Sequence, residues 1–154
     1  MIKLLKKNKK FHLQHKIINI LMKNGKKNTG EKILFKSVKF LQKSTTKKSV
    51  AVIQTAIINS TLTFKVNEQL IKKGKRKITK IIPSFLMSDS LRVTAALKLI
   101  KKISSKNKSA NYFYQSLLTE FLSTAGLNSQ TINQKIEIQK QILLNKRYLT
   151  KFRW

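Results

Sequence analysis

The feature that most constrains this chain is the imbalance between its basic and acidic residues. Lysine and arginine fill 34 of the 154 positions and aspartate and glutamate only five, so the formal net charge is +29. A small domain usually stays soluble with a net charge of roughly 2–8, and a much larger excess destabilises a compact fold by self-repulsion. We therefore expect the chain to work against a polyanion, with nucleic acid favoured over an anionic membrane.

The length and the apolar content predict a folded chain with a real core. A chain of 154 residues fits one domain that buries roughly two-thirds of its unfolded surface. Hydrophobic residues make up 41% of the chain, which is typical of a globular protein and too high for a disordered basic tail. We predict a single domain over residues 1–154.

Groups that could support catalysis are scarce in this sequence. The absence of cysteine removes disulfides, thiolate nucleophiles and cysteine-based zinc sites. His12 and His15 could share one helix face, but no third ligand lies nearby, so we interpret them as solvated side chains. We therefore predict no enzymatic activity, no metal site and no cofactor. The acids are too widely spread to suggest a catalytic carboxylate pair: Glu31, Glu68, Asp89, Glu120 and Glu137.

Apolar residues recur at helical spacing in six segments of the chain. The first series is Leu13, Ile17, Ile20 and Leu21, and it stops near Asn24, where Gly25 is a plausible helix end. This placement puts Lys26 and Lys27 near the negative C-terminal end of the first helix. The other series are Leu34, Val38 and Leu41; Val50, Ile53 and Ile57; Val93, Ala96, Leu97, Ile100 and Ile103; Phe113, Leu117, Phe121 and Leu122; and Ile132, Ile136, Leu143 and Tyr148.

The periodicity changes between the third and fourth helical segments. Leu62, Phe64 and Val66 alternate with polar residues in the manner of a strand, and a second strand leads to Pro83 after a basic tip around Gly74. The pattern predicts an extended β-hairpin over about 62–83. The predicted fold class is mainly α, a six-helix bundle-like domain with this hairpin inserted between helices 3 and 4. Ser88 or Asp89 would cap the fourth helix, and Ser129 would begin the sixth.

The basic residues gather in five clusters where predicted elements end. A single solvated lysine cluster is common, but five clusters with almost no acid among them predict phosphate contacts that release counterions. Arginine is rare, and lysine is a mobile point charge, so we expect recognition of backbone shape over base edges. The clusters are Lys3, Lys6, Lys7, Lys9 and Lys10 in the basic segment 1–11; Lys26 and Lys27; Lys72, Lys73, Gly74, Lys75, Arg76, Lys77 and Lys80 at the hairpin; Lys101, Lys102, Lys106 and Lys108; and Lys146, Arg147, Lys151 and Arg153 in the tail 146–154.

The choice of residues also carries information about the genome. The chain is rich in lysine, isoleucine and asparagine and poor in glycine, alanine, arginine and proline, as expected from AT-rich codons. Organellar genomes are a common source of such bias. The first ten residues have neither the apolar core of a signal peptide nor the arginine and serine content of a transit peptide. We therefore expect a protein that is encoded and made inside an organelle.

Several motifs resemble those of the small-subunit ribosomal protein seven family, in its bacterial and organellar type. Asn19-Ile-Leu-Met22, then Gly25-Lys-Lys27, Ile33-Leu34 and Ser37 is similar to the N-terminal signature of that family. The basic hairpin between helices three and four, Lys108-Ser109 before the fifth helix and the ending Arg147-Tyr-Leu-Thr-Lys-Phe-Arg153-Trp154 add to the resemblance. It covers nearly the whole chain.

The resemblance implies a structural constituent of the small ribosomal subunit, acting in translation. Family members are primary binders of the 3′ (head) domain of the rRNA and nucleate head assembly. Carried over by position, the hairpin cluster would lie near the exit-site tRNA and the mRNA exit channel, close to small-subunit protein eleven. The other four clusters and Trp154 would contact rRNA, with Arg153 and Trp154 against RNA or a neighbouring protein.

The sequence departs from the family pattern at two places. Gly74 stands alone where the family has paired glycines at the hairpin tip, and residues 84–88 contain no base where an arginine-rich stretch is usual, so a protein could replace RNA there. This divergence, together with the AT-biased composition, favours the mitochondrial form in the matrix over a plastid form. The alternative function is a DNA-binding architectural protein of an organelle nucleoid. The interrupted helical pattern disfavours a membrane partner.

Overall fold

Helices make up most of the structure, a computed structural model that describes residues 6–46, 48–73, 76–107 and 112–146. The described part confirms the mainly α prediction, with six helices and a two-stranded antiparallel hairpin between the third and fourth. The elements are α1 Lys6–Leu21, α2 Lys27–Ser44, α3 Ser49–Ser60, β1 Phe64–Lys73, β2 Arg76–Phe85, α4 Asp89–Lys106, α5 Phe113–Ala125 and α6 Gln130–Leu144.

The two helices without any lysine or arginine, α3 and α5, lie at the centre of the fold. They form the most extensive helix–helix contact in the described part, and α5 also packs against α2, α4 and α6. Burying a charged group without a partner is costly, so the lysine-free segments are the ones that can occupy the middle. Phe121 and Leu117 of α5 are almost fully buried there, beside Ile100 of α4 and Leu41 of α2. The lysines are left for the outer helices.

The predicted helix ends are confirmed by the backbone. Asn24 and Gly25 both have positive φ, 53° and 74°, so the chain turns through the left-handed region between α1 and α2. Ser88 caps α4, since its hydroxyl accepts a hydrogen bond from the Leu91 amide at 3.3 Å. The hydroxyl of Ser129 accepts from the Ile132 amide at 3.3 Å in the same way and caps α6.

The basic segment 1–11 is partly helical. Because α1 begins at Lys6, the cations Lys6, Lys7, Lys9 and Lys10 belong to the first helix, whereas the sequence pattern placed them ahead of it. The run Lys-Lys-Asn-Lys-Lys has no apolar stripe, so by itself it does not predict a helix. The helix extends into this run from the amphipathic part that follows. Lys3 lies outside the described residues.

The face of α6 that packs is not the apolar series expected from the sequence. Ile136 and Leu143 are exposed and Ile132 is only half-buried, whereas Tyr148 lies outside the described residues. The packed face instead carries Thr131 and Ile142, which are buried, and Lys135 and Ile138, which are half-buried. The spacing of these four positions is helical, but two of them are polar. Apolar periodicity alone therefore does not indicate this face.

Both polar residues of that face are held by hydrogen bonds. The buried carboxylate of Glu120 in α5 accepts from the hydroxyl of Thr131 at 2.6 Å and from its amide at 3.3 Å. The ammonium of Lys135 donates to the Asn59 carbonyl at 2.6 Å, at the end of α3. Burial lowers the pKa of Lys135 from its usual value. The contacts of α6 with α3 and α5 are therefore specified by polar groups.

The hairpin consists of two ten-residue strands that pair without interruption from Phe64↔Phe85 to Lys73↔Arg76. It thus extends two residues beyond the expected end at Pro83. The rings of Phe64 and Phe85 lie 5.3 Å apart at the base of the hairpin, and β1 contacts α6. These contacts anchor the base of the hairpin on the helices.

Candidate nucleic-acid interface

A cluster of four lysines lies along α4, beside the end of α1. Lys98, Lys101, Lys102 and Lys106 line a hollow of about 510 Å³ together with Asn19 and Ile20 of α1 and Ser105. Their spacing places them on one side of α4. We call this the α1–α4 basic surface. It is built from the predicted cations Lys101, Lys102 and Lys106, to which the structure adds Lys98.

Lys101 differs from the other members of this surface because it is used inside the fold. It is half-buried, and its ammonium donates a hydrogen bond to the carbonyl of Ile20 in the last turn of α1. A cation at the C-terminal end of a helix interacts favourably with the helix dipole. It also supplies a donor to a carbonyl that has no partner within the helix. Lys98, Lys102 and Lys106 are exposed, so their charges are the ones presented to a ligand.

The α1–α4 basic surface continues to the base of the hairpin. Lys98 and Lys102 also line a second hollow, of about 530 Å³, between α4, α6 and β1. The exposed Lys65 of β1 also lines this hollow, with Phe64 and Ile138 among its apolar lining residues. No acid lines either hollow in the described part of the chain. The result is one acid-free path of positive charge from the end of α1 to the hairpin.

Lys26 and Lys27 lie at the start of α2, which corrects their expected place at the C-terminal end of the first helix. The helix α1 ends at Leu21, Lys26 occupies the N-cap position of α2, and Lys27 is the first residue of α2. No side chain caps this helix start, so its first amides and the two ammonium groups all favour an anion. Lys27 has a weak, exposed ion pair with Glu31, at 3.9 Å.

The end of the hairpin brings like charges face to face. The register pairs Lys72 with Lys77 and Lys73 with Arg76, so four cations occupy two adjacent cross-strand pairs. Like charges at directly opposite register positions destabilise a sheet. An anion between the pairs would remove this repulsion. Lys80 pairs with Gln69, while Gly74 and Lys75 lie outside the described residues.

Part of the predicted interface is not described. Lys146 is exposed just beyond α6. The stretch 84–88 was predicted as a possible contact with a protein. Within it, Leu86 is buried and Phe85 packs on Phe64, whereas Met87 is exposed. The remaining predicted residues lie outside the described part and stay predictions: Lys108, Arg147, Lys151, Arg153 and Trp154.

The clusters predicted at element ends do not include a row of lysines on α2. Lys32, Lys36, Lys39 and Lys43 are all exposed and lie at spacings of four, three and four, which is one face of a helix. The periodicity of the lysines themselves would have revealed this row. Lys65 and Lys98 could not have been found in that way, because they join the interface only through packing of β1 and α4.

A comparison with protein families decides the identity. The profile of the ribosomal protein S7p/S5e family matches residues 2–146. The chain belongs to this family. Among its relatives, small ribosomal subunit protein uS7c of Tetradesmus obliquus is 30% identical over 87% of this chain and 77% of its own length. Protein uS7 of a Wolbachia strain is 27% identical over 86% and 82%, and uS7m of Reclinomonas americana is 26% identical over 90% and 83%.

Family membership confirms the resemblance found in the sequence motifs. The protein is a structural constituent of the small ribosomal subunit, and the prediction that it is not an enzyme is confirmed by the family to which it belongs. Its general partners are rRNA and other ribosomal proteins. The α1–α4 basic surface and the cation pairs of the hairpin register are compatible with contacts to rRNA phosphates.

The described part of the chain also bears on a metal site and on a membrane-spanning helix. His15 is exposed on α1, and no three histidine or acidic side chains come close enough to hold a metal ion within the described ranges. Over the same ranges, no helix combines the length and the apolar character needed to cross a membrane.

Proposed function

We propose that this protein is a primary binder of the 3′ (head) domain of small-subunit rRNA and nucleates assembly of the head. The observation that carries the proposal is the continuous, acid-free path of Lys98, Lys102, Lys106 and Lys65 across α4 and the hairpin base. A path made of two helices and a strand can follow the shape of a folded RNA junction. Lysines fit this role because they contact phosphates without requiring a particular base.

Binding of an rRNA fragment that contains the head junction tests the proposal. The double variant Lys98→Gln with Lys102→Gln should weaken binding about tenfold at 0.1 M salt and lower the salt slope by about two phosphate contacts. A matched control, Lys48→Gln with Lys140→Gln, removes the same charge from exposed positions elsewhere and should leave the slope nearly unchanged. Equal losses in both double variants would mean that charge alone, and not this surface, determines binding.

The same assay distinguishes the DNA-binding alternative. The protein should bind the junction fragment more tightly than duplex DNA of equal length at each salt concentration, because the family to which it belongs is ribosomal. The slope for the fragment should be roughly 0.7–0.9 logarithmic units per phosphate contact. Equal affinity for duplex DNA throughout the titration would favour an architectural role in a nucleoid.

For the hairpin, we propose a position near the exit-site tRNA and the mRNA exit channel, close to small-subunit protein eleven. The two facing cation pairs at the end of the strands support this, since they need a polyanion and lie away from the α1–α4 basic surface. Neutralising Lys72, Lys73, Arg76 and Lys77 to glutamine should leave binding of the junction fragment within about threefold and reduce retention of mRNA or tRNA. Collapse of subunit assembly in this variant would contradict the division of roles between body and hairpin.

We further propose that the protein works in a mitochondrial ribosome and is encoded in the organelle. Its AT-biased composition supports an organellar genome, and its relatives include proteins of mitochondria, chloroplasts and bacteria. The protein should sediment with small subunits from purified mitochondria after DNA has been digested. Sedimentation with plastid small subunits instead would assign it to the other organelle.

A further inference from the structure

Three aromatic side chains form an exposed cluster where α5 begins beside α2. The rings of Tyr112 and Tyr114 are stacked, with centroids 5.5 Å apart and planes 19° apart. Phe40 of α2 meets Tyr114 at 6.0 Å in a tilted arrangement. Tyr112 is 60% exposed and Phe40 is 44% exposed, although a large aromatic ring usually contributes to a core or an interface. We call these three residues the aromatic cluster.

Hydrogen bonds fix the backbone that carries Tyr112 and Tyr114 of the aromatic cluster. The hydroxyl of Ser37 in α2 donates to the carbonyl of Tyr114 at 3.2 Å, which fixes the start of α5 against α2. Tyr112 has an extended backbone, and its carbonyl accepts from the amides of Gln115 and Ser116 in the first turn of α5. A platform that is ordered before binding loses little conformational entropy when a ligand arrives. Because one face of the Tyr112 ring stacks on Tyr114 and the side chain is 60% exposed, we infer that the opposite face is accessible to a ligand.

Positive charge on α2 lies beside the aromatic cluster. The lysine row of α2 runs beside Phe40, and the ammonium of Lys36 lies 5.8 Å from the centre of the Tyr114 ring. The acid of α2, Glu31, is at the other end of the helix and pairs with Lys27. Protein–protein interface cores are depleted in lysine, whereas aromatic rings beside a cationic track are what single-stranded nucleic acids bind. The chemistry therefore favours RNA over a protein partner.

We propose that the aromatic cluster binds an unpaired base of RNA, which stacks on the outer face of Tyr112 while Lys36, Lys39 and Lys43 contact the adjoining phosphates. The site lies on α2 and α5, so it is separate from the α1–α4 basic surface. The inference rests on the proposed function only for the choice of RNA as ligand. It adds a contact that depends on bases and not on phosphates alone.

Binding of two probes of equal charge tests the stacking contact. One probe is a 12-nucleotide oligouridylate, and the other is an abasic chain with the same number of phosphates. The wild-type protein should prefer the oligouridylate by about tenfold, the size expected from one stacked base. Tyr112→Leu should abolish this preference and Tyr112→Phe should retain it. Phe35→Leu is the matched control, because Phe35 is an exposed aromatic residue on α2 that lies outside the cluster.

Each outcome bears on the inference separately from the proposed function. Lack of a base preference in the wild type, or its survival in a folded Tyr112→Leu variant, would overturn the inference. If Tyr112→Leu weakened attachment to the assembled subunit without any base preference, the cluster would be a protein contact, which also overturns it. The variant Lys98→Gln with Lys102→Gln should leave the ratio between the probes unchanged, whatever it does to the junction fragment. Thermal unfolding of each variant checks that it is folded.

Discussion

Glu120 shows how a single acid is used in a protein of net charge +29. Its buried carboxylate accepts two hydrogen bonds from Thr131, in the first turn of α6, where the helix dipole also favours a negative charge. A hydrogen bond to a charged group contributes about 1.5–3 kcal/mol. This acid therefore joins two helices and takes no part in a ligand site.

Replacement of Glu120 should destabilise the fold strongly. We expect Glu120→Ala to lower the free energy of unfolding by about 2–3 kcal/mol, since the buried hydroxyl and amide of Thr131 lose their acceptor. Glu137→Ala is the matched control, because Glu137 is exposed and its loss changes the net charge equally. Urea unfolding measures both, and the control should change by less than about 0.5 kcal/mol. Equal effects would show that charge number, and not the buried contact, matters.

Two adjacent lysines of α4 should separate stability from RNA binding. Lys101 is half-buried and donates to the Ile20 carbonyl, so Lys101→Met should cost about 1 kcal/mol of stability. Lys102 is exposed on the α1–α4 basic surface, so Lys102→Met should leave stability nearly unchanged and weaken binding of the junction fragment severalfold. Urea unfolding and fragment binding are measured on both variants. The reverse pattern would mean that Lys101 is the direct phosphate contact.

At the scale of elements, the face of α6 that packs can be tested with two neighbouring residues. Ile142 is 7% exposed and Leu143 is 67% exposed. Ile142→Ala should therefore lower the free energy of unfolding by about 2–4 kcal/mol, whereas Leu143→Ala should change it by less than about 0.5 kcal/mol. Thermal unfolding followed by circular dichroism compares the two. A larger effect at Leu143 would restore the face first expected from the apolar pattern.

The elements that were predicted well are those whose apolar residues lie at the packed positions. Ile17 and Leu21 of α1, and Ile53 and Ile57 of α3, were found by periodicity and are buried. In α6, Thr131 and Lys135 interrupt the packed face, and their partners Glu120 and Asn59 are distant in sequence. Apolar periodicity within one segment carries no information on contacts between distant segments. It therefore predicted the exposed series of α6 as the packed one.

The candidate interface was predicted to a similar extent and for a similar reason. Lys102 and Lys106 belong to a run of cations that is visible in the sequence, whereas Lys65 and Lys98 complete the surface only because β1 and α4 pack together. The assignment of Lys26 to the end of the first helix failed because a turn of a few residues separates the end of one helix from the start of the next. These lysines therefore lie near the positive N-terminal end of α2 and not near the negative C-terminal end of α1.

At the scale of the whole molecule, the fold separates charge from the core. The central helices α3 and α5 contain no lysine or arginine, and the outer elements present their lysines on the α1–α4 basic surface, the α2 row and the hairpin. Ion pairs do little to offset this charge, since those in the described part, Lys27–Glu31 and Arg92–Asp89, are exposed at one or both partners. The free protein therefore carries repulsion that rRNA relieves in the assembled subunit.

This repulsion predicts opposite effects of salt on folding and on binding. Raising the salt concentration from 0.05 to 0.5 M shortens the screening length to a few ångströms, so the melting temperature of the free protein should rise by roughly 5 °C. The same change should weaken binding of the junction fragment by several orders of magnitude, because releasing counterions into more concentrated salt is less favourable. Neutralising Lys72 and Lys77 to glutamine should raise the melting temperature at low salt and reduce its dependence on salt, since the register places these cations opposite each other. Scanning calorimetry at several salt concentrations, with and without the fragment, measures both effects. A melting temperature that falls as salt is added would show that self-repulsion does not limit the stability of this fold.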